Sequence, residues 1–130
     1  MKESEHFSLQ KRLNSFRFAF NGLKSLIKNE HNSRLHVVAL ICVIGLGLVL
    51  KIELTDWIAI TIVSGLVILT ELLNTAVEKL ADFISPDLNK EIGLIKDYCA
   101  GAVLISAVIS LIVGVLIFIP KIIAVIKSFY

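Results

Sequence analysis

An almost wholly apolar stretch between Trp57 and Ile84 carries Glu71, Asn74, Thr75, Glu78 and Asp82 at helical spacing. On a helix advancing about 100° per residue, with Glu71 at zero, Asn74 falls at about −60°, Thr75 at about +40°, Glu78 at about −20° and Asp82 at about +20°. All five share one face. An ionisable residue near the centre of a membrane helix costs roughly 2.5 to 3.5 kcal/mol by insertion measurements, so a stripe of this kind is presumed functional. Metal binding, proton handling and substrate contact are the tasks that suit it. Interhelical hydrogen bonding would explain single polar residues in a span, but two carboxylates and an amide at one depth exceed what such glue requires.

The elements that must position this stripe follow from hydropathy. The chain has 130 residues, 56% of them hydrophobic, with a mean hydropathy of +0.84, which places it among membrane proteins. Residues 1 to 6 read as a disordered tip. Leu9, Leu13, Phe16, Phe20, Leu23 and Ile27 then recur at spacings of four and three, predicting an amphipathic helix over residues 7–30. Its other faces carry Lys11, Arg12, Asn14, Arg17, Asn21, Lys24 and Lys28, the pattern of a helix lying in the headgroup layer. A polar junction, Asn29 to Arg34, precedes a first span over 35–50. A second span covers 57–84, with Trp57 as an interfacial aromatic, and Ser85, Pro86, Asp87, Leu88 and Asn89 form a loop that breaks it. The third span covers 98–119 and stops before Pro120. On it Ala102, Ser106, Ser110 and Gly114 make a strip of small side chains suited to close helix approach. The expectation is a single all-α membrane domain, an N-terminal amphipathic surface helix plus three transmembrane helices.

Lys plus Arg number 13 against 11 Asp plus Glu, and the net charge of +2 gives no reason to expect nucleic acid as a partner. Distribution is more informative. One side of the three-span arrangement holds ten basic residues, Lys2, Lys11, Arg12, Arg17, Lys24, Lys28, Arg34, Lys79, Lys90 and Lys96; the other holds three, Lys51, Lys121 and Lys127. This imbalance predicts a cytoplasmic N-terminus. Cys42 and Cys99 stand at no metal-ligand spacing and read as packing thiols. The first residues lack the apolar core of a signal peptide, so no processing is expected.

From Trp57 to Glu71 the helix rises about 21 Å, against a hydrocarbon core of about 30 Å. Glu71 is therefore expected somewhat inside the cytoplasmic boundary, Glu78 at the headgroups and Asp82 in water. Glu30 and the Lys96-Asp97 pair fall on the same side. That layout suits a reaction joining the polar end of an amphiphile to a cytosolic reagent, with a base at lipid depth and metal-binding carboxylates nearer water.

The run Glu71-Leu72-Leu73-Asn74-Thr75-Ala76-Val77-Glu78, followed by Asp82 and Lys96-Asp97, closely resembles the signature of the prokaryotic diacylglycerol kinase family of integral-membrane lipid kinases. The resemblance extends from Arg12 to about Ile119 and includes the Ser15-Phe16, Ala19 and Gly22 pattern. It implies a homotrimer that transfers the γ-phosphoryl of ATP to a lipid hydroxyl, with Mg²⁺ and with sites shared between subunits. By position, Glu71 matches the general base and Asn74 its neighbour, while Glu30 and Glu78 match metal carboxylates. Lys96, Asp97, Asp82, Asp87, Asn89 and Phe18 match the nucleotide side, with Lys11 and Arg12 competing by one register for a basic contact there. Phe16 and Phe20, with Glu71, match the lipid side. Neither the phosphate loop of soluble nucleotide-binding proteins nor the H-R-D and D-F-G motifs of protein kinases is present.

The chain departs from some members in having phenyl rings at Phe18 and Phe20, which stack without donating hydrogen bonds, and Ala100 where a serine can stand. The run Glu30-His31-Asn32-Ser33-Arg34-Leu35-His36 fits an E-x-N-x-R-x-H pattern of the undecaprenol kinase branch, so undecaprenol is the expected acceptor and diacylglycerol the alternative. His31 and His36 read as interfacial residues, Lys79 and Lys90 as solvated charges. A proton-coupled transporter would place its carboxylates near the midplane rather than at one end. A non-catalytic scaffold would not gather Glu30, Glu78, Lys96 and Asp97 on one face.

Overall fold

The computed structural model describes residues 9–85 and 89–129, apart from the side chains of Leu9 and Lys11. The expected tip at 1 to 6, the Lys11 side chain and Asp87 thus lie outside the described residues. Four helices follow in order: α1 (Leu9–Asn29), α2 (His31–Val49), α3 (Leu54–Ile84) and α4 (Lys90–Lys127). The last three are each long and apolar enough to cross a membrane.

A single extended residue, Glu30, separates α1 from α2, with φ −104° and ψ 124°. Its N–H still donates to Leu26 O at 2.9 Å, and its carbonyl accepts from Arg34 N at 3.4 Å. The polar junction expected before the first span is therefore a one-residue bend followed directly by helix. Along α1 the apolar stripe is exposed from Leu13 to Ile27, and the side chain buried where α1 meets α2 and α3 is Leu26, off that stripe.

α2 ends in a tight turn. Ile52 N donates to Gly47 O at 3.1 Å and Lys51 N to Leu48 O at 3.3 Å, the paired bonds of a Schellman motif. Lys51 occupies its left-handed position at φ 50°, where glycine would be unstrained. Gly47 is required for another reason: a Cβ there would stand 2.8 Å from Trp57 Cη2 and 2.9 Å from Ile52 Cδ1. α3 then starts at Leu54 with a reciprocal cap, the Glu53 side chain accepting from the Asp56 N–H and Asp56 Oδ2 from Glu53 N at 3.2 Å. Such pairing satisfies two of the donors a helix start leaves open. Around this hairpin Ile52, Ile60 and Phe118 are buried, with Val43, Leu50, Trp57 and Ile117 packed against them.

α4 runs antiparallel along α3. Midway, Thr70 Oγ1 and Ser106 Oγ are 2.8 Å apart, with Ser106 buried. Of the small-residue strip expected to serve packing, Ser106 does so through this hydroxyl pair, whereas Ala102 is exposed and Ser110 and Gly114 border an apolar cavity. Two expectations about α4 are corrected. It begins at Lys90, not near Tyr98, because Asn89 Oδ1 accepts from Glu91 N at 2.9 Å and Ile92 N at 3.5 Å and so nucleates the helix early. It also continues through Pro120 to Lys127. Proline removes one backbone donor; the turn beyond is held by Lys121 Nζ, 2.9 Å from Asp56 Oδ2.

Candidate active site

At the end of the bundle opposite the hairpin, the α3 stripe faces the start of α2. Glu71 is 4% exposed, and its Oε1 accepts from Ser33 Oγ at 3.3 Å. Thr75, one turn on, is also buried. Asn74 is half-buried, and its Oδ1 is buried with no hydrogen-bond partner. A buried carbonyl left unpaired costs about 1–3 kcal/mol, which a donor arriving beside it would recover. The helical phase that put these residues on one face is thus realised as a polar strip reaching inward from the bundle end.

Farther along α3, Glu30 Oε1 lies 3.4 Å from Lys79 Nζ. Lys79, expected as a solvated charge, is largely exposed and also reaches the bend between α1 and α2. Glu78 is half-buried, and Asp82 Oδ1 meets Lys96 Nζ at 2.6 Å. Glu78 adds its charge to that of Asp82 at this ammonium. Lys96 and Asp97, ahead of the span expected over 98–119, are on α4, about two turns after its cap. Asn89 has its side-chain oxygen engaged in capping α4.

Arg12, Phe16, Phe18 and Phe20 lie exposed on α1. Phe16 and Phe20 share a face, and Phe18 lies on another, with the Arg17 guanidinium 5.6 Å from its ring centroid. His31 is exposed in the first turn of α2. His36 borders an apolar cavity of about 450 Å³ between α2, α3 and α4, reaching Val67, Ser110 and Phe118. Ser33 is the residue that sequence reasoning passed over. Its signal was slight, a hydroxyl three residues after Glu30, and its partner stands 38 positions away.

Whether these residues suit a divalent metal can be judged from donor chemistry. Glu30 and Glu78 offer hard carboxylate oxygens, and among the described residues no group of three or more His, Cys, Asp or Glu is placed to hold an ion. Two hard oxygen donors suit Mg²⁺, which is bound through one or two carboxylates together with substrate phosphates.

Three helices able to cross a membrane, with a carboxylate strip gathered at one end, define an integral membrane protein. The family profile described as Prokaryotic diacylglycerol kinase matches residues 17–118, and the chain belongs to that family. It is a lipid kinase, for which ATP is the co-substrate and a lipid alcohol the acceptor. A relative named undecaprenol kinase, from Bacillus subtilis, is 36% identical over 107 residues, covering 82% of this chain and 87% of that one. Another, named diacylglycerol kinase, from a Synechocystis species, is 33% identical over 111 residues, covering 85% of this chain but 63% of its own length.

Proposed function

We propose that the protein phosphorylates the hydroxyl of undecaprenol from ATP at the strip running from Glu71 to Asp82. The observation that carries this reading is the buried Glu71 carboxylate, held by Ser33 and flanked by the unpartnered Asn74 carbonyl. Glu71 takes the proton from the lipid hydroxyl as its oxygen attacks the γ-phosphorus. The bond from that phosphorus to the bridging oxygen breaks, ADP departs with the electron pair, and Glu71 later returns its proton to water. Asn74, beside the carboxylate, helps place the base and the lipid hydroxyl. Glu30 and Glu78 hold Mg²⁺, which when bound offsets charge on the phosphates. Lys96, set by Asp82, supplies a further cation on that side, and Asp97, Asn89, Asp87, Phe18 and one of Lys11 and Arg12 bound the nucleotide.

The acceptor preference draws on three supports. The Bacillus relative bears the name undecaprenol kinase, the Glu30 to His36 run matches that branch, and Phe16 and Phe20 offer exposed apolar contact without donors. Diacylglycerol presents ester carbonyls that need donors or water, whereas a polyprenol presents one hydroxyl on a hydrocarbon chain. Parallel assays in one detergent, with equal ATP and Mg²⁺, should give undecaprenol about a tenfold higher kcat/KM than a short-chain diacylglycerol. Equal or reversed preference would overturn the acceptor while leaving the kinase intact.

The active form in this reading is a homotrimer in the bacterial inner membrane, with a cytoplasmic N-terminus, α1 lying on the surface, and sites shared between subunits. Mixing Glu71→Gln with Glu78→Gln chains, at a Mg²⁺ concentration where neither turns over alone, should then restore some turnover. Mixed trimers without turnover would place each site within one subunit.

A further inference from the structure

Ser33 is buried as deeply as the carboxylate it meets, at 3% exposed. It stands in the first turn of α2, three residues after the bend at Glu30. A hydroxyl on a membrane helix ordinarily donates back to a carbonyl three or four residues earlier. Thr61 does so to Trp57 O, and Ser106 to Val103 O. At Ser33 the carbonyl three residues back belongs to Glu30, and it already accepts from Arg34 N and from Arg34 Nε, each at 3.4 Å. The hydroxyl is instead directed across the helix interface to Glu71 Oε1.

The contact has company. Glu30 reaches Lys79 from the same turn, so the start of α2 is tied to α3 at two levels, Ser33 at Glu71 and Glu30 at Lys79. A glutamate has several rotatable bonds, and fixing them in a buried site costs conformational entropy unless a partner compensates. Ser33 is that partner. The separation of 3.3 Å is long for a hydroxyl donor, as contacts in unloaded active sites commonly are before substrate tightens them.

We infer that Ser33 is a positioning residue for phosphoryl transfer: by occupying Glu71 Oε1 it leaves Oε2 as the atom that takes the proton from the lipid hydroxyl. The inference rests on the general-base reading of Glu71. Ser33 touches neither lipid nor nucleotide in this scheme, and acts through the orientation of one carboxylate. It therefore governs turnover rather than binding, and links the pose of Glu71 to the bend that carries Glu30.

The test uses the full-length protein in detergent with lipid, and compares Ser33→Ala with Ser33→Thr, which keeps the hydroxyl. Ser33→Ala should lower kcat about tenfold, as expected for one hydrogen bond to a charged group, with KM for ATP and for lipid within about twofold of the parent. Ser33→Thr should recover most of that loss. In a Glu71→Asp background, where the shortened carboxylate no longer reaches the hydroxyl, Ser33→Ala should cost less than about twofold more. An unchanged kcat in Ser33→Ala, a Thr variant as poor as Ala, or an undiminished Ala effect in the Glu71→Asp background would each overturn the inference. A fall in thermal midpoint alone, with kcat intact, would do the same and assign Ser33 to packing. Substantial turnover by Glu71→Gln would instead overturn the base assignment and the inference with it, whereas inactive Glu71→Gln beside unaffected Ser33→Ala would remove the inference alone.

Discussion

At the hairpin end of the bundle the buried side chains are Ile52, Ile60 and Phe118; at the opposite end Ser33, Glu71 and Thr75 are buried beside Leu26 and Ala81. The hairpin end pairs its polar groups along the paths a helix terminus offers, through the Schellman bonds to Gly47 and Leu48, the Glu53–Asp56 cap and the Asp56–Lys121 pair. At the site end one carbonyl, Asn74 Oδ1, is buried without a partner, and a carboxylate is buried on a single long hydrogen bond. Polar groups left short of partners away from water destabilise a fold. Their concentration at one end teaches that the two ends answer to different demands: the hairpin fixes the helices, and the other end keeps unused hydrogen-bonding capacity for something that arrives.

The sharpest way to break this contrast is at Glu71. Glu71→Gln keeps the shape and can still accept from Ser33, so thermal stability and ATP affinity should stay near the parent's while turnover falls by roughly 10²- to 10⁴-fold. Turnover and calorimetric nucleotide binding on one purified sample decide it. Next in size is Gly47→Ala at the other end. A methyl group against Trp57 and Ile52 should cost about 1–3 kcal/mol of stability, read as a lower thermal midpoint, while kcat per folded molecule holds. A collapse of kcat in the folded fraction would mean the two ends are not separable.

Glu30→Gln and Glu78→Gln should raise the Mg²⁺ concentration needed for half-maximal activity by roughly tenfold, since each removes a hard oxygen ligand. Metal titrations that overlay the parent's would remove both residues from the metal site. The smallest effect is expected at Lys51, held at positive φ. Lys51→Gly relieves that conformation and should raise stability by about 1 kcal/mol with no change in activity; a lower midpoint would show that the lysine side chain contributes more than its backbone costs.

The α3 strip was legible because helical phase is a local property: the spacing of Glu71, Asn74, Thr75 and Glu78 fixes a shared face whatever the helix packs against. The same logic reached only halfway on α1. Its stripe was read correctly as periodic, yet the residue it buries is Leu26, because in a single chain the packing face is set by the angle at the Glu30 bend and not by periodicity. Lys96 and Asp97 fall within α4 because the Asn89 side chain, read from the sequence only as part of the loop, caps the helix and starts it at Lys90. The pairings of Ser33 with Glu71, Glu30 with Lys79 and Thr70 with Ser106 join positions 36 to 49 residues apart, and periodicity within one helix cannot report them.

The Thr70–Ser106 pair has a proton count that does not match its contacts. Thr70 Oγ1 is 3.0 Å from both Leu66 O and Val67 O, and Ser106 Oγ is 2.8 Å from Val103 O, while the two hydroxyls are 2.8 Å from each other. With one hydrogen apiece, the pair can run in either sense. Ser106 can donate to Thr70, which donates down α3, or Thr70 can donate to Ser106, which donates down α4. Both arrangements keep the bond between helices, so reversing the direction of the chain of hydrogens leaves the α3–α4 seam closed. The seam is thereby degenerate in its hydrogens and single-valued in its heavy atoms, a joint that tolerates electrostatic change at either of its ends without giving up its register.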